Sequence, residues 1–311
     1  MTHDGSEASD GPGDILYRVS PSRGAGSPEV VGFYEPATGS CQYICIDTPR
    51  RKCVLIDVVQ QFDPRSFSTR FDHAGWALEY VRERGLEIEW ILDTHPHADH
   101  LMAAAWLKQQ TGAPMAIGEK VRDIAVLWRD IYNLPDAFPV EPDFDRLLTD
   151  GDNFKIGDVS VAVMLSPGHT LGSITYVAGD AIFAHDTLMQ PDAGTSRADF
   201  PGGSAAQLYD SIAAILDHPD DHRVFIGHDY GTADRHAPEW KSTVGEQKAR
   251  NIHVGGNVSK AAYIAKREAR DRTLPLPDRM LAALQVNLRG GRLPEPEADG
   301  HSYFKVPANR F

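Results

Sequence analysis

The sequence has few of the features that would place the protein in a membrane or on nucleic acid. No apolar run in its 311 residues approaches the roughly 18 residues that a membrane-spanning helix needs. Positive charge is also scarce: 44 Asp and Glu residues outweigh 31 Lys and Arg residues, for a formal net charge of −13. We therefore predict neither a membrane nor a nucleic acid as partner. An anionic substrate would need a local basic patch in this repulsive average field.

Cysteine is scarce as well. The three residues Cys41, Cys45 and Cys53 lie in one strand-like region. A small, odd number of cysteines predicts reduced thiols in a cytoplasmic protein and disfavours a disulfide framework. Because no second cysteine pair could complete a zinc ribbon, we interpret all three as small buried apolar residues.

The first residues, MTHDGSEASDGPGD, are polar, acidic and rich in Gly and Ser. They contain no apolar segment of the kind found in a secretory signal, and their acidity disfavours a mitochondrial transit peptide. We predict a flexible tail over residues 1–26 and a single domain over residues 27–311. No second, cysteine-bearing sulfurtransferase domain is expected.

Strand and helix patterns alternate through the rest of the chain. Strand patterns occupy residues 29–35 and 41–47, and the spacing of apolar residues from Ala74 to Val81 predicts a helix that Gly85 ends. Strict alternation from Val159 to Leu165 is typical of a half-buried strand. Strands with helices between them, more strands and then helices indicate an α/β sandwich of two sheets flanked by helices.

Metal-ligand residue types are concentrated in the stretch ILDTHPHADH, residues 91–100, which puts three histidines and two aspartates into ten positions. In an extended segment the side chains at i and i+2 point to one side, so His95 and His97 should face the same way if the strand continues. Asp99 and His100 should then lie at the start of the next helix, where the helix dipole favours negative charge.

Three later strands also run into metal-ligand residues: His169 in SPGHT, Asp186 in HDTL and His228 in GHDY. The ends of strands in an α/β sheet share one edge, where binding sites form. Unpaired buried polar groups cost free energy, so stability alone does not explain this clustering. The residues predict a metal site, and their number suffices for one ion or two. His185 adjoins Asp186 and should point to the opposite face of the strand, which favours Asp186 as the ligand.

Taken together, THPHADH, PGHT, HDTL and GHDY resemble the metallo-β-lactamase superfamily, from about residue 30 to the end of the chain. The resemblance implies an αββα sandwich with the metal at one edge between the sheets, here with a C-terminal helical extension. Glyoxalase II-like hydrolases in this superfamily hold two metals and usually read THHHxDH. Pro96 stands at the third position of that loop, and PDAGTSRADFPGG and LQVNLRGGRLPEPEADGHSYFKVP are more similar to persulfide dioxygenases, in the bacterial subgroup with a longer C-terminal tail.

The persulfide dioxygenase resemblance implies one Fe(II) per chain, with His95, His169 and Asp186 as its ligands. Two histidines and one carboxylate leave three positions of an octahedral ion open, as in non-haem iron oxygenases. The implied reaction converts glutathione persulfide, O2 and water into glutathione and sulfite. Four further residues would orient the ligands or hold water through hydrogen bonds: His97, Asp99, His100 and His228.

Substrate contacts follow less directly from the resemblance. Arg197 and Tyr230 match pocket positions of the family most nearly, and Lys241, Lys248 and Arg250 are further basic candidates. Arg197 could instead brace the neighbouring aspartate. A homodimer is implied, because dimers are common among similar proteins.

Two departures from the family pattern lie near the expected pocket. His185 stands where Gly usually precedes the metal-binding aspartate, and Ala193 stands where Tyr is common. Two alternatives therefore stay open. One is a dinuclear zinc hydrolase that acts on a thioester, and the other is a non-catalytic module that binds sulfide or a persulfide.

Overall fold

The structure, a computed structural model, describes residues 9–10 and 15–311. Its strands form an eight-stranded sheet, a six-stranded sheet and a small three-stranded sheet. In chain order the strands are β1 (Ser9–Asp10), β2 (Leu16–Ser20), β3 (Glu29–Glu35), β4 (Ser40–Asp47), β5 (Lys52–Ile56), β6 (Val59–Asp63), β7 (Ser68–Arg70), β8 (Glu87–Leu92), β9 (Leu101–Met102), β10 (Met115–Gly118), β11 (Arg146–Leu148), β12 (Asn153–Ile156), β13 (Val159–Leu165), β14 (Ile174–Ala178), β15 (Ala181–His185), β16 (Arg223–Ile226) and β17 (Lys241–Thr243). The helices are α1 (Asp72–Glu83), α2 (Ala104–Thr111), α3 (Val121–Tyr132), α4 (Ala205–Leu216), α5 (Val244–Arg250), α6 (Lys260–Asp271) and α7 (Met280–Asn287).

The two large sheets have strand directions that bring several strand ends to common edges. The first sheet has the order β1-β2-β3-β4-β5-β8-β10-β11, and β5, β8, β10 and β11 run parallel. The second has the order β12-β13-β14-β15-β16-β17. Here β15 and β16 are parallel, and β13 points the same way because two antiparallel steps separate it from β15. Residues that follow β13, β15 and β16 must therefore lie at one edge of this sheet.

Two apolar cores hold the layers together. The first packs helices α1, α2, α3 and α7 against the eight-stranded sheet. The second lies between the two large sheets and extends to α4 and α6. At its centre the ring of Tyr43 meets the rings of Phe183 and Phe225 edge-on, with centroids 5.4 and 5.5 Å apart. The predicted αββα sandwich is confirmed. In the described part of the chain no helix is long and apolar enough to cross a bilayer.

The predicted flexible tail over residues 1–26 is wrong for its second half. Leu16–Ser20 form β2, with Tyr17 opposite Phe33 of β3. The chain after β2 is held by the buried guanidinium of Arg223, which donates to the carbonyl oxygens of Ser20, Pro21 and Pro28 at 3.3, 3.1 and 2.9 Å. Pairing with β3 and this long-range contact order a segment that directly follows the polar, acidic residues 1–14. Residues 1–8 and 11–14 of the predicted tail lie outside the described residues.

The helix predicted to start at Asp99 and His100 begins later. Strand β8 ends at Leu92, residues 93–100 form an irregular loop, and α2 starts only at Ala104. The short strand β9 intervenes and pairs with β6. The side chain of Asn287 in α7 accepts a hydrogen bond from the Met102 N–H and donates to the carbonyl oxygens of His97 and His100. This contact satisfies backbone groups that a helix would otherwise have paired.

Candidate metal centre

Four loops bring all seven predicted metal-site residues to one edge between the large sheets. The loop after β8 carries four of them, and the loops after β13, β15 and β16 carry one each. The rings of His95 and His97 lie 4.0 Å apart between centroids, those of His97 and His100 4.1 Å, and those of His95 and His169 5.1 Å. The predicted convergence at the strand ends is confirmed, although the strand does not continue through THPH.

His95, His169 and Asp186 surround one position. The Nε2 atoms of His95 and His169 lie 3.6 and 3.5 Å from the same oxygen, Oδ2 of Asp186. His95 Nε2 is buried and has no hydrogen-bond partner among the described residues. A hydrogen bond of 2.9 Å joins His169 Nδ1 to the Arg197 carbonyl oxygen, so Nδ1 carries the proton and Nε2 keeps its lone pair. An unpartnered lone pair and a buried carboxylate fit a divalent cation.

His97 lies beside this position as well, although the resemblance implied that it only orients the ligands. Its Nε2 lies 3.2 Å from Oδ1 of Asp57, while its Nδ1 is buried with no partner in the described part of the chain. His95, His97 and Asp186 present ligand atoms within 4.8 Å of one another. Asp57 was missed in the sequence. It directly follows β5, the parallel neighbour of β8, so the two strand ends meet. His97 is therefore placed to bind the same ion as His95, with Asp57 orienting its ring.

His228 bridges two carboxylates. Its Nδ1 lies 2.5 Å from Oδ1 of Asp186, and its Nε2 lies 2.8 Å from Oδ2 of Asp99. Burial alone would lower the pKa of His228, but the charges of Asp186 and Asp99 raise it well above its ordinary value. Gly227 allows this approach, because a Cβ there would lie 2.4 Å from the Asp186 carboxylate. The same three residues offer ligand atoms within 4.8 Å, so a second ion could displace the proton.

Burial keeps two further histidines neutral. It lowers the pKa of His100 and of His185 to about 3. His185 ends β15 in the left-handed region, with φ of 41°. Its Nε2 is within hydrogen-bond distance of the hydroxyls of Ser166 and Thr187, at 3.3 and 3.0 Å. The His185 ring does not line the cavity, and its centroid lies 5.2 Å from that of His95, so His185 packs behind the metal position in the turn that carries Asp186.

A cavity of about 700 Å³ opens from the metal centre, within the range of small-molecule sites. Its wall includes His169, Asp186 and His228, and Ala193 lines it as well. The rest of the wall includes residues of the loops after β15, β16 and α5, of helix α6, and of the segment that follows α6. The cavity is thus large enough for a substrate much bigger than O2.

The structure places two of the predicted substrate residues at this cavity. Arg197 pairs with both oxygens of Asp199 at 2.7 and 2.8 Å, so its charge is already compensated. Tyr230 donates its hydroxyl to Asp99 at 3.0 Å and is 66% exposed. Both side chains can contact a ligand, but Arg197 mainly braces its own loop.

The other predicted substrate residues do not line the cavity. Lys241 lies in β17, Lys248 pairs with Asp220 at 2.6 Å, and Arg250 pairs with Glu246 at 2.6 Å. Lys241 and Arg250, which were predicted as substrate contacts, are thus not part of the wall of this cavity. These residues were chosen only as basic candidates in the sequence, without information on which side chains reach the cavity.

Helix α6 supplies the basic residues that the sequence did not point to. Lys266, Arg267 and Arg270 all line the cavity. In the sequence, KREARDR has the composition of a solvated helix face. Only the packing of α6 beside α4 turns these side chains towards the metal centre.

The chain belongs to the metallo-beta-lactamase superfamily, whose pattern matches residues 39–228. This range begins just before β4 and ends at His228, so it contains every predicted metal-site residue.

Several individual proteins are similar to this chain over most of its length. A beta-lactamase hydrolase-like protein of Xylella fastidiosa is 54% identical over 91% of this chain. The chain spans only 65% of that relative's length. Glyoxylase B2 of Dictyostelium discoideum is 40% identical over 90% of this chain and 96% of its own length. The human mitochondrial persulfide dioxygenase ETHE1 is 26% identical over 88% of this chain and 93% of its own.

Among solved structures, ETHE1 from Myxococcus xanthus aligns with a TM-score of 0.67 and 28% identity. The alignment covers 84% of this chain and 98% of that one. The superfamily and its fold are thus established for this chain, and its clusters of possible ligand residues support a metal cofactor.

Proposed function

We propose that the protein is a persulfide dioxygenase that uses one Fe(II) per chain to oxidise glutathione persulfide with O2 and water to glutathione and sulfite. The observation that carries this proposal is the group of His95, His169 and Asp186, in which two histidine nitrogens face one carboxylate oxygen at the end of the cavity. Two histidines and one carboxylate are the ligand set of non-haem iron oxygenases. The similarity to two ETHE1 proteins supports the same assignment.

The chain's own residues prepare this centre before any ion binds. The Arg197 carbonyl and Asp57 hold the rings of His169 and His97 in one orientation and one tautomer. Burial lowers the pKa of His95 well below its ordinary value, so His95 is neutral and can donate a lone pair. When bound, Fe(II) supplies the redox chemistry and the open coordination positions that the reaction needs.

The remaining predicted residues would act around the ion. His228 holds a proton on each ring nitrogen between Asp186 and Asp99, and so fixes the Asp186 carboxylate in place. Tyr230 donates to the same Asp99 and closes the cavity beside it. In this proposal these residues position the ligand carboxylate and hold protons near the reacting sulfur.

Anaerobic purification followed by oxygen-uptake measurements tests the proposal. We expect one iron per chain, and O2 consumption with sulfite formation when glutathione persulfide is added. Iron-loaded protein that consumes no O2 with this substrate would overturn the proposal. Metal analysis is needed beside the activity, because Zn²⁺ outcompetes Fe²⁺ at most nitrogen and oxygen sites.

Single substitutions test the ligand assignment. His169→Ala should lose the iron, whereas His100→Ala should retain it and His236→Ala, at an exposed histidine, should behave as wild type. His97→Ala is the most informative variant, because His97 has a buried Nδ1 without a partner among the described residues and forms a possible metal-binding group with His95 and Asp186. Complete loss of iron in His97→Ala would add His97 to the ligands, and loss in His100→Ala equal to that in His169→Ala would refute the assignment.

A dinuclear hydrolase is the second candidate, and one observation favours it. Asp99, Asp186 and His228 present ligand atoms within 4.8 Å of one another beside the first position. A relative named glyoxylase B2 is 40% identical. This alternative predicts two zinc ions per chain and hydrolysis of S-lactoylglutathione. One zinc per chain at saturation would count decisively against it.

A further inference from the structure

A second, much smaller cavity lies against the loop that carries His95 and His97. Its volume is about 20 Å³, which is enough for one molecule of about the size of water. Pro96 and Ala98, which alternate with the two histidines along the loop, are part of its wall. The small cavity therefore borders the metal centre, and it is distinct from the cavity of about 700 Å³ described above.

Two helices make most of the wall of the small cavity apolar. Helix α3 contributes Ile124 and Trp128, and helix α7 contributes Met280 and Leu284. Each of these four side chains is at most 5% exposed. The members of each pair are four residues apart, a spacing that places them on one helix face. Each helix thus presents an apolar face to the cavity.

Water finds few hydrogen-bond partners in this cavity. A buried water usually makes about two to four hydrogen bonds. Among the lining side chains only Thr170 and Trp128 carry an oxygen or nitrogen atom, and the Thr170 hydroxyl already lies 2.7 Å from Ser173 Oγ. Apolar cavities stay dry and bind small apolar molecules such as xenon. The cavity is therefore suited to an uncharged, apolar gas molecule.

Phe200 links the small cavity to the metal centre. Its side chain lines both cavities. Its ring meets the ring of His169 edge-on, with centroids 5.2 Å apart. Pro201 and Thr170 line the small cavity and are partly exposed, so the cavity lies close to the surface as well. A gas molecule that enters here and passes the Phe200 ring reaches the position beside His169.

We propose that the small cavity binds O2 and delivers it to the metal centre past the ring of Phe200. This proposal rests on the proposed function, which requires O2 and a persulfide at the metal together. The carrier of the persulfide occupies the larger cavity and obstructs the approach of O2 from that side. The small cavity stays accessible to O2 while the larger one is filled.

Xenon is the probe of this site, because it is apolar and its many electrons make it visible in a crystal. Crystals of the iron-loaded wild type under xenon pressure should hold xenon between α3 and α7. Ile124→Phe should fill the cavity and exclude the xenon, whereas Ile124→Val should retain it. Ile131→Phe is the matched control, because Ile131 lies two turns later in α3, is 8% exposed and does not line the cavity. Leu284→Phe fills the cavity from α7 and replaces Ile124→Phe if that variant does not fold.

Oxygen uptake, measured separately against the concentrations of O2 and of glutathione persulfide, tests the role of the site. In Ile124→Phe the value of kcat/KM for O2 should fall about threefold to tenfold, within the roughly hundredfold limit that contacts with a ligand of two heavy atoms can supply. The value for glutathione persulfide should stay unchanged, and Ile131→Phe should match the wild type in both. An equal fall in Ile131→Phe, or an equal fall for both substrates, would indicate a general disturbance and would overturn the proposal.

The outcomes separate the O2 site from the proposed function. Oxygen uptake by a wild type whose small cavity holds no xenon would refute the site and leave the function standing. An unchanged kcat/KM for O2 in a variant that excludes xenon would do the same. Xenon that binds the wild type and is excluded by Ile124→Phe, without oxygen uptake by the wild type, would support a gas site and refute the function.

Discussion

Replacing Asp271 with asparagine should lower the free energy of unfolding by about 3–5 kcal/mol, the cost of leaving a buried charge without its partner. The Asp271 and Arg267 side chains are 5% and 3% exposed, and Oδ1 lies 2.6 Å from Nη2. The other carboxylate oxygen accepts the Ala198 N–H at 3.0 Å. An asparagine can present only one oxygen, so the Arg267 guanidinium or the Ala198 N–H loses its acceptor.

Urea unfolding of metal-free protein measures this loss as a shift of the midpoint at constant slope. Asp210→Asn is the matched control: Asp210 pairs with Lys260 at 2.6 Å, but the two side chains are 63% and 44% exposed. Exposed pairs contribute between about 0 and 1 kcal/mol, so this control should be nearly neutral. If Asp271→Asn cost no more than Asp210→Asn, the reasoning from burial would be refuted.

Three further predictions concern the centre and its surroundings. The free energy of unfolding of His185→Gly should be about 1–2 kcal/mol higher than that of His185→Ala, because the φ of 41° at this position strains any residue with a Cβ. Equal urea midpoints for the two variants would show that the turn relaxes. Removing the metal should lower the melting temperature, since an ion present at about 100 times its Kd stabilises the fold by about 2.7 kcal/mol, and this difference should vanish in His95→Ala. The pKa of His253 falls from 6.5 to about 4 on folding, so the stability that it contributes is complete above pH 6.5 and is lost as the pH falls towards 4. In the His253→Gln variant the urea midpoint should therefore change less with pH between pH 6.5 and pH 4 than in the wild type. The same pH dependence in both proteins would contradict the assignment.

Local patterns in the sequence predicted most of the fold and many residues of the candidate site. Alternation along Val159–Leu165 marks a strand because side chains of a strand face opposite sides in turn, and β13 has these same bounds. Helix α1 ends at Glu83, two residues before the predicted stop at Gly85. The metal-binding residue types were identifiable because they directly follow apolar strands, and strands of one direction end at one edge.

Features that depend on a distant partner were not predictable in this way. Asp57 looked like an ordinary residue after a strand, and its role depends on β5 and β8 being parallel neighbours. The segment Leu16–Ser20 was assigned to the tail because it follows the polar, acidic residues 1–14, and its order depends on β3 and on Arg223. The start of α2 was misplaced because Asn287, more than 180 residues away, pairs with the backbone of the His loop.

By itself the sequence determined the layered α/β class and the identity of the residues around the metal position. Both follow from short-range rules, namely side-chain periodicity and the order of strands and loops. Only the tertiary structure decided which nitrogen of each histidine is free and which basic side chains reach the cavity. Hydrogen bonds from His97 to Asp57 and from His169 to the Arg197 carbonyl oxygen settle the first. The packing of α6 brings Lys266 and Arg270 to the cavity wall, while Lys241 lies in β17 and does not line the cavity. These properties arise from contacts between segments far apart in the chain, so no local pattern encodes them.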